Sequence, residues 1–103
     1  MRRAPQSADA GSLIVGLGDL VKKTEQDLLG ERKEIGAAEI RVHSFEKLSR
    51  DPQFGKHYSE GLKSARVALQ KAQKREKRLA AQLEEVRALL EQSLDLAERL
   101  RKA

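Results

Sequence analysis

An all-α fold, a long antiparallel helical hairpin of the coiled-coil kind, is predicted by three observations. Leu62, Ala65, Leu69, Ala72, Leu79, Leu83, Val86, Leu90, Ala97 and Leu100 fall on a ladder of alternating steps of three and four, which lays one narrow apolar seam along a helix. An upstream pattern places Ile14, Val21, Leu28, Ile35 and Val42 seven apart, with Leu17, Ala38 and Phe45 in the companion row. Between the two stands Asp51-Pro52, a stop and a restart. With 39% hydrophobic, 36% charged and 3% aromatic residues among 103, the chain has material for long thin helices and none for a thick globular core.

Residues 1 to 11 mix small, polar and breaker residues without a period and read as a flexible tail. Ser12 then offers an N-cap to a first helix expected as far as about Arg50. Its seam is interrupted by Thr24 and Glu31. Leu13, Leu20, Leu29 and Ile40 fall beside it and widen the apolar face, which favours a third packed helix or a partner. Gly16, Gly18, Gly30 and Gly36 lie inside the segment, each costing up to ~1 kcal/mol against alanine. A break near Gly30 to Gly36 would give three helices in place of two, and both arrangements stay open at this point.

The turn is the clearest punctuation. Pro52 disfavours helical geometry at Asp51, so the first helix stops there, and Asp51 can cap a second helix that begins at Pro52 and runs to about Arg101. The chain therefore divides into the tail, 1–11, and a hairpin, 12–103, with its turn near 50–54. Phe45, Phe54 and Tyr58, the only aromatics, flank that turn and read as a plug closing the end of the hairpin.

Most of the net charge of +5 is concentrated in Lys71, Lys74, Arg75, Lys77 and Arg78, with Glu76 the single acid among them. Such a cluster can neutralise phosphates. No stacking aromatics, recognition helix or second basic stripe accompany it, and its cations are expected on several helix faces, so a solvated face or a patch for an acidic protein is preferred over nucleic acid.

Chemistry finds little support. His43 and His57 are the only conventional bases, and His43 has Glu39 and Glu46 within a turn, but helical di-metal sites use Glu-x-x-His pairs pointing inward from several helices. Gly16-Leu17-Gly18 lacks both a preceding strand and the third glycine of a phosphate loop. None of the serines sits in a nucleophile elbow. The absence of cysteine excludes disulfides and thiolate zinc sites and suits a reducing compartment. A non-enzymatic chain with no cofactor and no metal is expected.

Arg2 and Arg3 ahead of Leu13–Leu17 do not make a signal peptide, because the apolar run is short, Asp19 interrupts it and no cleavage site follows. No run approaches the roughly 20 apolar residues of a membrane span. Leu13 to Lys23 could lie on a membrane surface, but two glycines and an aspartate weaken that face, so a cytoplasmic protein without a membrane partner is expected.

Two pairings of the seams fit the turn. One sets Thr24 against Glu76 and Val21 against Leu79; the other sets Glu31 against Glu76, which like charge disfavours, so the first is chosen. It leaves the helix from Leu89 onward without a mate. Leu89, Leu90, Leu94, Leu96, Ala97 and Leu100 then become the expected surface for a helical protein partner or a second copy, making the chain part of a homo- or hetero-oligomer.

In architecture and charge style, residues 12 to 101 resemble the helical-hairpin stalk and escort proteins of bacterial flagellar and type III export machines, small basic cysteine-free chains that dock on an export ATPase. No specific motif is shared, so the resemblance carries over no functional residue. It implies an adaptor, assembly or chaperone-like role within a larger complex.

Overall fold

A computed structural model describes the backbone of residues 6 to 103 and the side chains of residues 11 to 103. Two helices, α1 over Gln6–Ser49 and α2 over Gly55–Lys102, account for 94% of the described residues and pack on each other as a helical hairpin. The expected all-α hairpin is the one formed. α1 passes unbroken through Gly30 and Gly36, so the three-helix arrangement does not occur. It also starts at Gln6, ahead of the expected cap at Ser12; the rest of the expected tail, residues 1 to 5, lies outside the described residues.

The hairpin divides into two compact units. A turn unit holds Leu28–Arg78, and a distal unit joins Leu79–Ala103 to the stretch of α1 that ends at Asp27.

In the turn unit, the seam residues Leu28, Ala38, Ala65 and Ala72 are buried, and Ile35, Val42, Phe45, Leu62 and Leu69 are half-buried. Alternating alanine with larger residues lets two helices approach closely while side chains still interlock. The last turn of α1 tightens through short-range bonds, from the Arg50 N–H to the Lys47 carbonyl (3.3 Å) and from the Asp51 N–H to the Leu48 carbonyl (3.2 Å). Asp51 then caps α2 as the sequence implies. Its Oδ1 accepts the N–H groups of Gln53 (2.8 Å) and Phe54 (3.3 Å), and its carbonyl accepts the Gly55 N–H (2.8 Å). Regular helix is reached only at Gly55, so the expected start at Pro52 is not observed; residues 52–54 form a turn instead.

Two glycines hold this end together by having no side chain. A Cβ on Gly55 would stand 2.5 Å from the Ser49 carbonyl oxygen, and one on Gly61 would stand 2.6 Å from Cε1 of Phe45. The Phe45 ring therefore lies directly on the α2 backbone. Its centroid is 6.4 Å from that of Tyr58, and His57 meets Tyr58 edge-on at 5.2 Å. Phe54 is exposed, so the aromatic plug is built from Phe45 and Tyr58 alone, with His57, itself exposed, meeting the outer side of Tyr58.

The pairing of the helices is the one that like charge disfavours. Arg75 Nε donates to Glu31 Oε1 at 2.7 Å and Arg32 Nε donates to Glu76 Oε2 at 3.2 Å, which sets Glu31 level with Glu76 and rules out Thr24 as the residue facing Glu76. Each glutamate on the seam carries a guanidinium from the opposite helix. The cross-pairing answers the repulsion that the two carboxylates would otherwise suffer, because a charge-assisted bond to arginine neutralises each of them locally. Farther toward the turn, Arg66 Nη2 donates to Glu46 Oε2 at 3.3 Å.

The distal unit keeps the same pairing. Arg87 Nη2 donates to Glu25 Oε2 at 2.6 Å, with the two residues displaced by whole heptads from Glu46 and Arg66. Thr24 is thereby level with Leu83, and both are 6% exposed. Thr24 tolerates this burial because its hydroxyl donates to the Leu20 carbonyl one turn back, at 2.7 Å.

Candidate partner-binding surface

The residues expected to bind a partner do not form the single unmated end that the sequence suggested. Because the pairing is shifted by one heptad and α1 begins at Gln6, the seam of α2 is still occupied beyond Leu89, and Leu90 and Ala97 are half-buried on it. The remaining four are open: Leu89 is 51% exposed, Leu94 49%, Leu96 57% and Leu100 60%. α1 adds Leu13 at 55% and Leu20 at 44%, which makes the distal unit the leucine-rich one on its outside as well as on its seam.

These leucines sort onto two flanks. Glu25 and Arg87, each directly after a seam residue, touch, so residues of that class share one flank, and Leu94, directly after Ser93, belongs to it. Leu13, Leu20, Leu89 and Leu96 each directly precede a seam residue (Ile14, Val21, Leu90 and Ala97) and occupy the opposite flank. The sequence reading marked all of them as apolar surplus. It missed that four of them line up across the two helices; their common position before a seam residue was the signal that could have shown it.

The basic cluster lies wholly in the turn unit. Arg75 is held by Glu31, whereas Lys71, Lys74, Lys77 and Arg78 are exposed and make no ion pair among the described residues. Helical spacing puts Lys71, Lys74, Arg75 and Arg78 on adjoining positions of one side and leaves Lys77 apart, a tighter grouping than the several faces expected. His43 is exposed, and Glu46 beside it is engaged by Arg66 at 3.3 Å. No group of three or more His, Asp or Glu side chains converges on a common point among the described residues. Open depressions along α2 between Ala88 and Arg101 are lined, among the described residues, by that helix, with Glu91, Asp95 and Glu98 around Leu94. Among the described residues, no helix is long and apolar enough to cross a membrane.

Compared with known proteins, the chain matches no family model, no curated protein and no solved structure.

Proposed function

We propose that this chain is a non-enzymatic coiled-coil adaptor, an assembly or chaperone-like element that binds a helical protein partner in a larger cytoplasmic complex. The observation that carries the reading is the outside of the distal unit, where large apolar side chains stay open on helices whose own seam is already filled. Apolar surface gathered in this way is what a partner helix covers, at ~1.5 to 3 kcal/mol for each leucine fully buried. Lack of cysteine is compatible with a reducing compartment. The flank bearing Leu94, together with the open end of the α2 seam at Leu100, is the surface assigned to the partner.

Affinity capture with the tagged full chain tests this reading. A helical protein retained in stoichiometric amount after nuclease treatment, and lost when Leu94 and Leu100 are both changed to Ser, is the expected result. Loss of all captured material on nuclease treatment would overturn it in favour of nucleic acid held by Lys71, Lys74, Lys77 and Arg78, the four cluster cations that stay open. Retention by the double-serine variant would move the contact away from this flank.

A further inference from the structure

The flank of the distal unit opposite the Glu25–Arg87 ion pair carries Leu13 and Leu20 from α1 and Leu89 and Leu96 from α2, and we propose that it binds a second copy of this chain. The inference rests on the adaptor reading only in treating the chain as an assembly element, and it uses the flank that reading leaves open. In the observed pairing Leu20 lies nearly level with Leu89 and Leu13 with Leu96, so the four leucines form two rungs across the hairpin. The corresponding positions in the turn unit are Glu34, Arg41 and Leu48 on α1, and Arg75, Ala68 and Gly61 on α2, so the one exposed leucine among them, Leu48, lies level with a glycine and makes no leucine pair. The apolar rungs are therefore confined to the distal unit.

Charge at the rim identifies the occupant. Immediately outside the leucines stand Lys23 on α1 and Glu85 on α2, level with each other and both exposed; farther along the α2 rim come Gln92 and Arg99, the latter paired with Asp95 at 3.6 Å. Lys23 is only loosely held at 3.6 Å by Asp27, and Glu85 makes no ion pair among the described residues. At the level of the Leu20–Leu89 rung, therefore, one rim is basic and the other acidic. A two-fold axis running parallel to the helices lays α1 of each copy over α2 of the other. Leu20 of one copy then meets Leu89 of the other, Leu13 meets Leu96, and Lys23 meets Glu85 twice, once at each rim. A two-fold axis perpendicular to the helices would instead set α1 over α1 and α2 over α2, with like rims together. Only the first arrangement brings Lys23 onto Glu85, which supplies the charge self-complementarity that favours an isologous interface. The result is a four-helix arrangement in which each leucine rung lies between two hairpins.

Sedimentation equilibrium of the full chain, followed by circular dichroism of each variant, tests the proposal. The expected mass is twice the 11.5 kDa of one chain. Changing Leu20 and Leu89 together to Glu should return it to a single chain at unchanged helix content, because both positions are exposed on the isolated hairpin and glutamate is a good helix former. Leu94→Glu, on the other flank, should leave the double mass intact. Lys23→Glu should weaken association, and adding Glu85→Lys should restore it. A single-chain mass for the unaltered protein up to millimolar concentration would overturn the proposal, as would a dimer indifferent to the Leu20 and Leu89 changes. Failure of the charge swap to rescue would overturn the parallel two-fold. Partner capture by the Leu20→Glu, Leu89→Glu chain separates the two ideas, since the adaptor reading stands or falls on that capture whatever the mass of the chain.

Discussion

Replacing Gly61 by Ala exposes the contact on which the turn end is built, and the sign of its effect depends on Phe45. In an open helix interior the change stabilises by about 1 kcal/mol, because alanine loses less backbone freedom on folding. Here the new Cβ would stand 2.6 Å from Cε1, 2.9 Å from Cζ and 3.1 Å from Cδ1 of the Phe45 ring, so the ring must leave its seat between Gly61 and Tyr58. Overpacking of this kind costs ~1 to 3 kcal/mol, which outweighs the propensity gain and leaves a net loss of about 1 kcal/mol. In a Phe45→Ala background the obstacle is gone and the same substitution should stabilise by about 1 kcal/mol. The coupling between the two positions is then about 2 kcal/mol, well above the few tenths expected of independent sites. Urea unfolding followed by circular dichroism on the four chains measures it. Equal stabilisation by Gly61→Ala in both backgrounds would refute the close approach of Phe45 to α2.

Three further outcomes follow from the same packing. Replacing Glu31 and Glu76 together by Leu removes two carboxylates from the seam and should raise stability by about 2 kcal/mol in urea unfolding, as apolar replacement of partly buried ion pairs commonly does. Changing Gly16, Gly30 and Gly36 together to Ala, where nothing lies within 4 Å of the new methyl groups, should stabilise by about 2 kcal/mol in the same assay. Asp51→Ala removes the side-chain bonds to Gln53 and Phe54 and should cost about 1 kcal/mol, read as a lower urea midpoint at unchanged slope.

The two seams and the stop at Asp51-Pro52 were legible because spacing alone dictates which side of a helix is apolar and because proline restricts the residue before it. The pairing of the seams was not. Considering Glu31 and Glu76 as a bare like-charge pair ignored Arg32 and Arg75, each one residue away and able to reach across to the opposite glutamate. The start of α1 at Gln6 was hidden by the small and polar residues before Ser12, whose weak local preference does not decide their conformation once the helix is continuous. Misplacing the pairing by one heptad also turned Leu90 and Ala97 into open surface, and it obscured the leucine rungs, which emerge only when Leu20 is known to lie level with Leu89.

Disulfide trapping of the pairing is the most direct test of the hairpin described here. The chain has no cysteine of its own, so each engineered pair is unique. Ile35→Cys with Ala72→Cys should close rapidly under mild oxidation as an intramolecular bond, since these positions are level when Glu31 is level with Glu76. Rapid closure of Leu28→Cys with Ala72→Cys, and failure of the Ile35 pair, would contradict the account and restore the pairing that sets Thr24 against Glu76.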